Sequence, residues 1–83
     1  MNRADIEQQV LEEVAFLLKE QSGETHEPAL TDNVKEIGLD SLDVVELLMS
    51  VEEEYDVSIP DEKVAECDTL NDVVDLVIAI VSE

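Results

Sequence analysis

Gly38-Leu39-Asp40-Ser41-Leu42-Asp43, running on through Val44-Val45-Glu46-Leu47-Leu48, decides how this chain reads. Gly38 ends whatever precedes it, because glycine adopts backbone angles that other residues avoid. Asp40 and Ser41 are both good first residues for a helix, since a side-chain oxygen there accepts from free backbone N–H groups. Ser41 is expected to sit exposed at the positive end of a helix dipole. A negative group attached to its hydroxyl is favoured at such a place.

Outward from this stretch, the pattern predicts a helix over about 41–55. Val44, Leu47, Leu48, Val51 and Tyr55 make one buried stripe at helical spacing. Asp43, Glu46, Ser50, Glu53 and Glu54 fall opposite, and Leu42, Val45 and Met49 fall on the boundary beside Ser41. Upstream, Ile6, Val10, Val14 and Leu17 predict a first helix over about 3–20, stopped by Gly23. Phe16 lies off that stripe. Residues 21–40 read as a long loop, and a connection of this length needs order of its own. Leu30, Val34, Ile37 and Leu39 can supply it, with a short helical turn near Asp32–Ile37. Downstream, Pro60 suits the first turn of a short helix over about 61–66. Thr69 and Asp72 resemble a capping box opening a helix over about 69–82. That helix is rich in valine, a poor helix former, so packing has to hold it. The expectation is an all-α, single-domain, small four-helix bundle: three main helices and a short third.

Composition narrows the function. The chain has 83 residues, enough for one domain with a modest core and no deep enzyme pocket. It carries 23 acids against 4 bases, a formal charge of −19. Such a charge argues against nucleic acid or an anionic membrane as partner. An apolar fraction of 45%, placed periodically, argues for a folded domain over a disordered acidic tail. The single cysteine, Cys67, excludes an internal disulfide and reads as a small apolar filler. No apolar run is long enough to span a bilayer, and no signal-peptide pattern is present, so the expected location is cytoplasmic.

The run Asp40-Ser41-Leu42-Asp43-Val44-Val45-Glu46-Leu47, with Glu52-Glu53-Glu54-Tyr55-Asp56-Val57-Ser58-Ile59-Pro60-Asp61-Glu62, resembles the acyl carrier protein family. It is most similar to the free-standing carriers of fatty acid synthesis. The resemblance is densest over 37–62 and continues to about Val81. It implies that Ser41 bears 4'-phosphopantetheine, taken from coenzyme A by a phosphopantetheinyl transferase. It implies a carrier and not an enzyme, visiting acyl-transfer, condensing, reducing and dehydrating enzymes with basic patches, most simply as a monomer. Asp40, Asp43, Glu46, Met49, Glu52 and Glu53 match the family's recognition helix. Leu42, Val45 and Met49 match positions at the entrance for the acyl chain. One departure stands out. Fatty acid carriers commonly have Gly-Ala before Asp-Ser-Leu, whereas this chain has Gly38-Leu39, as is common in carriers for polyketides, peptides and other dedicated pathways.

Other classes fit less well. A nucleophile elbow needs glycine two residues either side of the serine, and those positions hold Leu39 and Asp43. His26 lies in a polar loop with no second ligand at metal spacing. A calcium loop needs a glycine and alternating oxygen ligands, and no glycine follows Gly38. No specific metal site is expected. An acidic interaction module or inhibitor without a prosthetic group explains the charge but not the Asp-Ser-Leu context. From Glu36 to Glu62 there are ten acids and no lysine or arginine. Long-range attraction from such a run speeds encounter with basic partners, and few buried contacts keep release fast.

Overall fold

The computed structural model describes residues 2–82. Among them are four helices, α1 (Arg3–Ser22), α2 (Ser41–Tyr55), α3 (Asp61–Val64) and α4 (Leu70–Val81), and no strand. α1 packs against α2 and α4, and α3 rests on α4. The core draws Val10, Val14 and Leu17 from α1, Leu47 and Val51 from α2, and Leu70, Val74 and Val77 from α4. Burying one such side chain contributes about 1.5–3 kcal/mol. This interior packing holds the valine-rich α4 in a helix that local propensity disfavours.

The helix ends follow from local chemistry. Asn2 caps α1 by accepting the Ala4 N–H at 3.0 Å. Gly23 stops it in the left-handed region, with its N–H donating to the Lys19 carbonyl, so α1 runs two residues beyond the expected Glu20. Thr69 and Asp72 form a complete capping box on α4, with aspartate in the place usual for glutamate. α3 is shorter than expected. After Val64 the chain tightens into i→i+3 bonds, Glu66 to Lys63 and Cys67 to Val64, in place of further α-helix.

The 18-residue connection between α1 and α2 is held by backbone bonds to the start of α4. Val34 N–H donates to the Asp68 carbonyl at 2.8 Å, Leu70 N–H to Asp32 at 3.1 Å, and Asn71 N–H to Leu30 at 2.8 Å. The segment near Asp32–Ile37 is a set of turns, not a helix: the Val34 N–H goes outward to the Asp68 carbonyl and the Asp32 carbonyl accepts from Leu70, while Glu36 and Ile37 bond back to Asn33. Val34 and Leu39 are buried under it. Gly38 then takes φ 108°, a value that L side chains rarely adopt, and delivers the chain to α2. On the outside, Arg3 pairs with Glu7 of its own helix at 2.9 Å and ties α1 to α4 by pairing with Asp75 at 2.7 Å and donating to Asn71.

Candidate functional site at the start of α2

Asp40 resolves the choice between two candidate caps. Its carboxylate accepts the Asp43 N–H at 2.9 Å, and the Asp43 carboxylate accepts the Asp40 N–H at 3.3 Å. This reciprocal pair fixes the entry angle of the chain and satisfies two of the free donors at the helix start. Ser41 is thereby the first helical residue and not the cap. Its side chain is exposed, and its hydroxyl makes no hydrogen bond with any described residue.

Beside Ser41 opens a cavity of about 360 Å³. That volume lies at the small end of the range for small-molecule pockets, about 300–1,000 Å³. Its walls are mainly apolar: Leu39 and Val44 on one side, Val64, Cys67 and Val73 on the other, with Ser41 and Lys35 also lining it. Burial pushes the Cys67 thiol up, with the charges of Asp72, Glu66, Asp68 and Asp75 adding to the effect. The thiol is therefore kept protonated and is a poor nucleophile. Val44 is only half buried because it faces this cavity instead of close-packed core.

The residues singled out from the sequence divide into three groups. Leu42, Val45 and Met49 are exposed, at 66%, 47% and 53%, and none lines the cavity. They form an outward apolar stripe on α2, flanked by exposed Glu46 and Glu53. Asp40 and Asp43 are occupied as capping groups. Glu52 has local work too: its carboxylate accepts the Ile59 N–H at 2.7 Å and ties the end of α2 to the loop before α3. Glu46 and Glu53 are the acids of the group with no such internal bond.

Several cavity residues escaped the sequence reading. Leu39, Val64, Cys67 and Val73 carry the same apolar signature as core residues, so periodicity alone does not separate wall from interior. Lys35 did leave a signal, as the only cation between Lys19 and Lys63. His26 is engaged locally, with Nε2 2.9 Å from Ser22 Oγ. Among the described residues no group of three or more His, Cys, Asp or Glu side chains is placed to hold a metal ion.

Ser41 is thus a free serine at a helix start, lining a mainly apolar cavity. The family model described as a phosphopantetheine attachment site matches residues 8–77. The chain belongs to the acyl carrier protein family. It is 35% identical over 74 residues to an acyl carrier protein of Porphyromonas gingivalis, covering 89% of this chain and 92% of that one. In three dimensions it is similar to the crystal structure of an acyl carrier protein from Thermotoga maritima, with a TM-score of 0.71 and 27% identity, covering 93% of this chain and 92% of the other. The protein is accordingly a carrier and not an enzyme, and its cofactor is 4'-phosphopantetheine. The helical architecture expected from the sequence is that of the family. No helix among the described residues is long and apolar enough to cross a membrane.

Proposed function

We propose that Ser41 is the residue that bears 4'-phosphopantetheine and that the carrier serves fatty acid synthesis. The observation that carries the first part is the exposed, unbonded Ser41 hydroxyl at the lip of an apolar cavity. The residues fit the group. Nothing in the fold has to move to expose the oxygen, and the first turn of a helix favours an added negative charge. When bound, the arm supplies a thiol that holds acyl groups as thioesters. The chain's own residues do the rest. Asp40 and Asp43 hold Ser41 outward, while Leu39, Val44 and Val73 offer an apolar wall that excludes water from a short acyl tail.

On this reading the partners are a phosphopantetheinyl transferase and the acyl-transfer, condensing, reducing and dehydrating enzymes of the pathway, met in the cytoplasm by a monomeric carrier. Glu46 and Glu53 draw in basic patches, and Leu42, Val45 and Met49 make brief apolar contact at the centre. Each exposed ion pair adds only about 0.2–1 kcal/mol, which suits repeated binding and release. Leu39 supports a second reading, a dedicated carrier for a polyketide, peptide or other acyl pathway. This buried side chain forms part of the cavity wall in place of the alanine common in fatty acid carriers.

Intact-mass analysis tests the attachment site. With coenzyme A and a transferase, the wild type gains one prosthetic group and Ser41→Ala gains none. An equal gain in both refutes the assignment. The acyl group found on protein purified from its own source decides between the two pathways.

A further inference from the structure

We propose that Lys35 is a positioning residue for the prosthetic arm, its ammonium group standing against the phosphodiester anchored at Ser41. The inference rests on the reading of Ser41 given above and adds a partner for the charge that loading introduces.

Lys35 and Ser41 line the same cavity, from the loop on one side and the start of α2 on the other. The base of Lys35 is fixed. Its N–H donates to Asn33 Oδ1 at 2.8 Å, and the preceding Val34 N–H donates to the Asp68 carbonyl at 2.8 Å. Its side chain is exposed and in no ion pair: both ion pairs among the described residues belong to Arg3. The chain has only four cationic side chains, and one of them lines the same cavity as the residue expected to gain an anion.

The surroundings explain why a cation is needed there. A phosphodiester at Ser41 adds a negative charge to a chain already at −19, next to Asp40, Asp43 and Glu46. The helix dipole offsets part of this cost. However, the Asp43 and Asp40 amides are already taken by the capping box, so those donors do not turn to a new anion. Between Glu36 and Glu62 no lysine or arginine is available. Lys35 lies just outside that acidic run and is the one cationic residue among those lining the cavity. With its ammonium near the diester, the root of the arm is biased toward the cavity and away from the acidic face of α2.

The test uses the full chain in its holo form, as wild type, Lys35→Gln and Lys35→Arg, with loading verified by intact mass. Phosphorus NMR reads the diester directly. At an ionic strength of about 10 mM, where charges act over roughly 30 Å, Lys35→Gln displaces the phosphorus resonance from the wild-type position, and Lys35→Arg retains it. The displacement closes at about 1 M salt, where the range falls to roughly 3 Å. A purely structural role of Lys35 gives no such salt dependence and no rescue by arginine. In parallel, the melting temperature falls from apo to holo by roughly 1–4 °C more in Lys35→Gln than in wild type at low salt. Identical resonances and identical apo-to-holo shifts in wild type and Lys35→Gln overturn the role of Lys35 and leave the attachment site standing. Absence of any mass gain in the wild type overturns the reading of Ser41 beneath it.

Discussion

Asp40 and Asp43 hold each other's backbone N–H groups, at 2.9 and 3.3 Å, across the first turn of α2. Two acids that read as partner contacts are therefore also structural. Asp43→Lys removes one arm of the box and puts a cation at the positive helix end. It is expected to lower stability by about 0.5–1.5 kcal/mol as well as weaken partner binding. Glu46→Lys, on the exposed face, is expected to weaken binding with little change in stability. Denaturant unfolding measured beside affinity for a partner enzyme separates the two. Equal stability loss in both variants argues against this division.

Asp56 ends α2 at φ 53°, the one non-glycine residue with positive φ among those described. It also places a negative charge at the negative end of the helix. Asp56→Gly relieves both penalties and is expected to raise stability by roughly 0.5 kcal/mol or more. An unchanged or lower denaturation midpoint contradicts this account.

Backbone bonds from Thr69 and Asp68 hold the Asp72 carboxyl below the usual carboxylate range. The unfolded chain therefore takes up this proton more readily than the folded one. The stabilisation is fully present above the ordinary value near 3.8 and is lost as the pH falls through the lower folded value. At about 0.5 M salt, which mutes long-range repulsion, the stability gap between wild type and Asp72→Asn should be widest near neutrality and narrow below about pH 4. A gap that stays constant down to pH 2 contradicts the capping role.

With 23 acids and 4 bases, the folded chain repels itself. Millimolar magnesium is expected to raise the melting temperature at low ionic strength, and monovalent salt at higher concentration to do the same. Because no cluster of three ligands is formed among the described residues, the rise should be graded and without a defined stoichiometry. A sharp one-to-one titration by calorimetry points instead to a discrete ion site.

Periodicity made the bundle legible: the stripe Ile6, Val10, Val14 and Leu17 is buried, as are Leu47, Leu48 and Val51. Gly23 and Thr69 marked helix ends because their chemistry is local. The exposure of Ser41 at the start of α2 was legible in the residues around it. Tertiary detail was not. Nothing local shows that Glu52 reaches the Ile59 amide, seven residues on. Nor does the pattern tell that Val44 faces a void while Leu47 faces packed core, since both occupy the same stripe. The cavity exists because α2, α3, α4 and the long loop leave a gap, and gaps between elements leave no trace in the order of residues.

α3 is four residues long and contributes no buried side chain, yet Val64 at its end forms part of the cavity wall. The opposite side is stiff, built from α2 and from a loop bonded to α4. Compliance is thus concentrated in one short segment. A tail too long for the resting volume is expected to push this segment outward before it disturbs the bundle. Amides of residues 61–66 should then exchange with solvent faster as the cargo lengthens, while those of α1 hold steady. The reach of the carrier toward larger loads is then expected to follow the give of α3 rather than the packing of its core.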